Sequence, residues 1–274
     1  MVKGMAPKTE SETRGSQPLL LMKGIVKRFG GVVALKGVDF HVDYGEAVGL
    51  LGDNGAGKST LAKIIVGYYR PDEGEVYFEG KKVCFKSPAE ARKHGIEIVY
   101  QDMALVPYMN VYRNLFLGKE ITKRIGFIRI LDKKKMRELA IKHLEELGIH
   151  RKDPEEIVEV LSGGERQSIA IARVMMFGAK LVVLDEPTSA LSIKESERVL
   201  ELVQELKSKG IASIFISHNI YHVYPVVDRI VVLDRGVKVL DVPKKAVTAE
   251  EVIDVIAHRL DPQELMKTIE KRGY

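Results

Sequence analysis

The sequence predicts an α/β fold built around a mainly parallel sheet, and three observations support it. Apolar runs at residues 47–51, 96–100, 181–184 and 212–217 have the length of buried strands. Helical patterns at 60–69 and 193–209 fall between members of that set, and strands that alternate with helices join by right-handed crossovers and run parallel. A longer helical stretch, residues 102–161, is inserted between the second and third of these strands.

Residues 1–17 are polar and without periodicity, which predicts a mobile tail before a fold that starts near Pro18. Val38, Phe40 and Val42 alternate with Asp39, His41 and Asp43, the period of a strand wet on one face, so His41 is expected to point to water. The run at 47–51 enters a glycine-rich turn and the helix at 60–69 follows it. Ser87, Pro88 and Glu90 read as a capping box for a short helix that stops at Gly95. Within the inserted stretch, Met136, Leu139, Ala140, Ile141, Leu144 and Leu147 form one apolar stripe, ended by Gly148. Gly210 closes the helix at 193–209. Asp234-Arg235-Gly236 separates two apolar runs at hairpin spacing. Two capped helices finish the chain, one opened by Thr248 and Glu251, the other by Asp261, Pro262 and Glu264.

Composition narrows the function classes. No apolar run approaches the roughly 18 residues of a membrane span, so a soluble, cytoplasmic chain is expected. The single cysteine, Cys84, has no internal disulfide partner and reads as a half-buried strand residue. A net charge of +5 would suit a polyanion, but the cations are interleaved with carboxylates, which predicts no nucleic-acid partner. The Lys133-Lys134-Lys135 run reads as a solvated helix face. His94, His143, His150, His222 and His258 show no metal-ligand spacing.

The chemistry concentrates in three places. Gly52-Asp53-Asn54-Gly55-Ala56-Gly57-Lys58-Ser59 fits a phosphate loop (Walker A): the glycines let backbone amides converge on phosphate oxygens and the helix after them adds its positive end. Lys58 would reach the β and γ phosphates, and the Ser59 hydroxyl, with Thr60 beside it, would face the magnesium ion. An ordinary glycine turn is the plainer alternative, but the strand before and the helix after favour the phosphate reading. Such a loop alone does not separate kinases, GTPases and ATPases. At the end of the strand at 181–184 stand Asp185 and Glu186, one able to hold magnesium and the other to polarise an attacking water. Leu161-Ser162-Gly163-Gly164-Glu165 opens a helix; Ser162 and Glu165 would cap it with no ligand, yet the hydroxyl and bare glycine amides also form a second anion site.

That last segment resembles the signature of the ABC ATPase family, and the resemblance spans residues 20–240 with the stations in order. It implies a P-loop ABC ATPase core of mainly parallel sheet with an N-terminal antiparallel β part and an inserted helical subdomain. The implied division is a tail at 1–17, an ATPase domain at 18–245 with the helical subdomain at about 102–165, and a C-terminal helical extension at 246–274. By the same resemblance Phe29 stacks on adenine, Gln101 touches magnesium and the attacking water, Asp185 belongs to the magnesium site, Glu186 is the catalytic base and His218 contacts the γ phosphate. Residues 52–60 bind ATP, and Ser162, Gly163 and Gly164 complete the site of a second ATPase subunit in a head-to-tail dimer. Ser192 stands where most members carry Asp, which puts the coupling between the two nucleotide sites in doubt.

Residues 99–107 and 114–118 further resemble ATPase subunits of simple-sugar importers. This implies permease subunits as membrane partners, an external sugar-binding protein as an indirect one, and a peripheral place on the cytoplasmic face of the membrane. A soluble ABC ATPase that remodels a non-membrane partner, or an importer subunit for another solute, stays open. A chromosome-type relative would need long coiled-coil arms, and no sustained heptads occur.

Overall fold

The computed structural model describes residues 17–99, 105–146, 153–188 and 193–274. Residues 1–16 of the tail expected at 1–17, and Tyr100, Gln101, Leu147, Gly148, His150 and Ser192, lie outside the described residues.

Two sheets share a core. The N-terminal one is antiparallel, with β1 (Leu20–Phe29) between β2 (Val32–Val42) and β4 (Glu73–Phe78), and β5 (Lys81–Val83) at its edge. The six-stranded sheet has the order β12-β11-β3-β10-β9-β6, formed from β3 (Ala47–Leu51), β6 (Ile96–Val99), β9 (Leu181–Asp185), β10 (Ala212–Ile216), β11 (Arg229–Asp234) and β12 (Val237–Pro243). All neighbours in it are parallel except the β11–β12 hairpin. Every residue of β3 is buried because the sheet is covered on both faces. Val48 and Leu50 enter the cluster shared with the antiparallel sheet and α1 (Lys58–Ile65). Ala47 and Leu51 enter the opposite cluster, which also holds Val199, Leu202 and Leu206 of α6 (Ile193–Ser208) and Val223 of α7 (Ile220–Val223).

Several expectations meet a different local solution. Between α2 (Pro88–Lys93) and β6 the chain turns at Gly95 as read, but Ser87 makes no side-chain cap: Glu90 instead accepts from the Lys86 amide, 2.7 Å away. The boxes at Ser162 and Thr248 do form. Cys84 is exposed and lies just past β5, not within a strand, since β5 ends once its three pairings with β4 are made. The β11–β12 turn has two residues, Arg235 and Gly236, both with positive φ, as a type I′ hairpin turn requires.

The inserted region is not purely helical. α3 (Val111–Leu115), α4 (Lys133–Glu146) and α5 (Gly163–Met175) enclose their own core of Val111, Leu115, Met136, Ala140, Leu144 and Ile169. Between α3 and α4 stands a two-stranded hairpin, β7 (Thr122–Ile125) and β8 (Ile128–Leu131). Its β-branched residues and Gly126 suit a hairpin better than a helix. Of the α4 stripe, Met136, Ala140 and Leu144 are buried, while Ile141 faces solvent. The buried Asn114 closes the loop before α3: its amide donates to the carbonyls of Val106, Met109 and Asn110 and accepts from the Val106 amide.

One polar cluster ties the two sheets together. Arg229 on β11 donates to Glu46 at 2.7 Å, to Asp241 on β12 at 2.6 Å and to the His41 carbonyl at the end of β2. Burial by itself would raise the Asp241 carboxyl, but Lys238 and Arg229 hold it below the ordinary carboxylate range. A depressed carboxylate stabilises the fold above its unfolded titration range, and that contribution is lost as pH falls through the lowered value. Arg229→Ala leaves the half-buried Glu46 without its cation and Asp241 with Lys238 alone, and we expect a loss of about 3 kcal/mol in equilibrium urea unfolding at neutral pH. A loss below ~1 kcal/mol would show that the cluster is solvated in practice.

Candidate functional site

The phosphate loop leaves β3 at Gly52, whose φ is +142° and where a Cβ would stand 2.1 Å from the Leu233 carbonyl oxygen of β11. Only glycine permits that exit. Gly57 is equally constrained, with a φ of +106° and the Ala34 carbonyl 2.9 Å from a notional Cβ. The loop is closed by the Ala56 amide on the Asp53 carbonyl and anchored by the Gly236 amide on the Ala56 carbonyl. Asp53, Asn54 and Gly55 are exposed, Ala56 is buried, and the Asn54 amide bonds its neighbour's Asp53 carboxylate. α1 starts directly after Gly57 with no side-chain cap and no acidic residue in its first turn, where Ser59 and Thr60 sit. The positive end of the helix is therefore open to an anion.

Lys58 is buried within this cradle. Its Nζ donates to the Gly52 carbonyl at 2.8 Å and the Asp53 carbonyl at 3.0 Å. Burial lowers its pKa, an effect opposed by the charges of Glu186, Asp53 and Asp185. The ammonium and both acids thus share one electrostatic environment although they lie far apart in sequence.

The acids come from β9, which is flanked by β6 and β10. Asp185 ends the strand, and burial followed by the Glu186 charge pushes its carboxyl above the usual range, against Lys63, Lys58 and a hydrogen bond from Ser59. Its Oδ1 is buried with no hydrogen-bond partner among the described residues. Glu186 has a φ of +51°, sparsely populated for a residue with a side chain, and its amide is fixed on the Ile216 carbonyl at the end of β10. This bend brings Glu186 Oε2 to 3.0 Å from His218 Nδ1, which lies in the loop after β10. Four of the expected residues, Lys58, Asp185, Glu186 and His218, are therefore gathered at the C-terminal edge of the parallel sheet, where open α/β sheets carry their ligands.

Other expected residues stand apart. Phe29 ends β1, partly exposed, with its ring edge-on to Tyr69 at 5.0 Å. Ser162 is the N-cap of α5 and forms a reciprocal box with Glu165; Gly163 and Gly164 open the helix. Among the described residues no hydrogen bond joins Ser162, Gly163 or Gly164 to the phosphate loop. Gln101 lies outside the described residues. Sequence reasoning missed two contributors. Lys63, on α1, helps balance the Asp185 charge. The buried Thr188 bonds His222 Nδ1 at 2.9 Å, supporting the turn after Glu186 from α7. The spacing of His222 four residues after His218 gave no sign of this, since their partners lie on a different segment.

A glycine cradle at a strand-to-helix turn, a lysine inside it and a pair of acids at the end of β9, one strand removed in the same sheet, define a P-loop nucleoside triphosphatase. The model of the ABC transporter family matches residues 35–189. Xylose/arabinose import ATP-binding protein XylG of Sulfolobus acidocaldarius is 50% identical over 87% of this chain and 93% of its own length. Fructose import ATP-binding protein FrcA of Rhizobium meliloti is 44% identical over 90% of this chain and 96% of its own. A ribose import ATP-binding protein, RbsA of Caldanaerobacter subterraneus, is 38% identical over 89% of this chain but only 48% of its own length, so this chain corresponds to about half of it. Among solved structures, an ATP-binding cassette of an ABC transporter in its ADP conformation superposes with a TM-score of 0.74 at 30% identity, covering 88% of this chain and 96% of that one. A dimeric cassette in a post-hydrolysis state bound to ADP and phosphate gives 0.66 at 27% identity, over 82% and 98%. The chain belongs to the ABC transporter family and is one of its ATPases.

Proposed function

We propose that this chain is the ATP-hydrolysing subunit of an importer that carries a monosaccharide, and that it acts as a dimer on permease subunits at the cytoplasmic face of the membrane. The observation that carries the solute class is the match, over nearly the full length of both proteins, to import ATP-binding proteins for pentoses and fructose. The catalytic core is shared by the whole family and carries no such information.

In this reading the loop from Gly52 to Thr60 holds the phosphates through its amides, and Lys58 moves its donors from the Gly52 and Asp53 carbonyls to the β and γ phosphates. Phe29 offers a partly exposed ring to adenine. Glu186 accepts a proton from the attacking water, with His218 orienting the carboxylate and reaching the γ phosphate. Magnesium fits the donors present: the Ser59 hydroxyl and a buried Asp185 oxygen with no partner among the described residues are hard oxygen ligands, and Gln101 would add a third. That ion would neutralise charge on the phosphates. Ser162, Gly163 and Gly164 would serve the partner's nucleotide, in keeping with the dimeric relative.

We also propose residues 18–245 as the ATPase domain with 102–165 as its insertion, and 246–274 as an extension. The helices α8 (Ala249–Ile256) and α9 (Pro262–Lys271) bury Val252, Val255, Leu265 and Ile269 against the core, which supports an extension docked rather than free. No helix among the described residues is long and apolar enough to cross a membrane. Copurification of the full chain from its native membranes tests the proposal. Recovery of a multi-span membrane protein is the expected result, and recovery of a soluble complex alone would overturn it.

A further inference from the structure

The β7–β8 hairpin has two features that neither nucleotide chemistry nor its own folding explains. Its tip is apolar and uncovered: Phe127 is fully exposed (104%), with Ile125 at 59% and Ile128 at 67%. Directly behind the tip, Arg124 and Arg129 are paired across the strands, an arrangement of like charges that is unfavourable in water. Among the described residues neither arginine, nor Lys123, has a carboxylate partner. Lys133, Lys134 and Lys135 follow in the first turn of α4, where the helix dipole disfavours cations. Residues 123–135 contain six cations and one carboxylate, Asp132, which is engaged in capping the Lys135 amide. That excess of five equals the formal net charge of the whole chain, so the remainder is balanced.

We propose that this hairpin is a membrane-surface probe that inserts its tip into an anionic bilayer. The order of the layers matches a lipid interface. Phe127 leads, the Ile125–Ile128 pair follows, and the Arg124–Arg129 pair comes ~3.3 Å behind that. Apolar groups that enter the headgroup boundary reach about 5–10 Å deep, which leaves these arginines and Lys123 at the level of the lipid phosphates. Phosphates between Arg124 and Arg129 turn their mutual repulsion into shared attraction. A protein groove would have to enclose a tip exposed on all sides, whereas a fluid bilayer requires no matching shape. The contact needs no permease, so it is tested on the isolated full chain and stands or falls apart from the transport reading.

The chain has no tryptophan, so Phe127→Trp introduces a single indole reporter at the tip. With vesicles containing phosphatidylglycerol at low salt, we expect its emission to shift to the blue and to become shielded from aqueous quenchers. Neutral phosphatidylcholine vesicles and soluble inorganic phosphate should produce neither change. In co-sedimentation, Phe127→Ser combined with Ile128→Ser should lower the affinity of the otherwise native chain for anionic vesicles at least tenfold. Arg124→Glu with Arg129→Glu should lower it and weaken its salt dependence, with ATPase turnover unchanged in all variants. The proposal is overturned by an unshifted emission on anionic vesicles, by undiminished sedimentation of the Ser variant, or by shielding that appears only with a detergent-solubilised protein partner.

Discussion

Replacing Glu186 by Gln is expected to reduce ATP turnover by about 10²–10⁴-fold while leaving ATP binding intact. The amide keeps the shape of the side chain and the 3.0 Å approach to His218, so the geometry of the site is retained. What is lost is the capacity to accept the water's proton. The backbone at Glu186 is already held at a φ of +51° by the Ile216 carbonyl, and glutamine meets the same strain as glutamate, so the fold should be unaffected. The same variant addresses assembly. With saturating ATP it should elute as a dimer, because closure around ATP precedes the step it blocks. Turnover within tenfold of wild type would remove Glu186 from the role of base, and a persistent monomer would rule out the two-subunit nucleotide site.

Lys58→Ala should weaken ATP binding by about 10²-fold, read by calorimetric titration at neutral pH. The side chain is buried in the loop, and its ammonium is the one cation that bonds the cradle's own carbonyls among the described residues. Removing it takes a full positive charge away from the β and γ phosphates. It also removes a charge that restrains the upward shift of the Asp185 carboxyl, so two carboxylates face the incoming polyanion with less compensation. Undiminished affinity would mean that the loop amides alone hold the phosphates.

Much of this was readable along the chain. The β3 run, Gly52, Gly57 and Lys58 are local signals, because a strand-to-helix turn that leaves its amides free needs those residue types in that order. The capping boxes at Ser162 and Thr248 were legible for the same reason. The hairpin at 122–131 was not, because its short alternating pattern lies between helical stretches and local periodicity over four residues is weak. The Ser87 box is absent because the Glu90 carboxylate accepts from the Lys86 amide and the Glu90 amide donates to the Ser87 carbonyl, not to its hydroxyl. Lys63 and Thr188 were invisible as site residues, since each acts on a group fixed by another element.

The sequence by itself determined the class of chemistry: the spacing of glycines, lysine and hydroxyl in one short loop dictates a phosphate cradle. Only the tertiary structure decided how that cradle meets its acids, because parallel pairing of β9 beside β10, and of β10 beside β3, sets Asp185, Glu186 and His218 at one sheet edge. It also decided which cations find carboxylate partners. Arg229 is drawn into the pairing with Glu46 and Asp241 at the sheet junction, while Arg124 and Arg129 are set opposite each other behind an apolar tip with no carboxylate partner among the described residues.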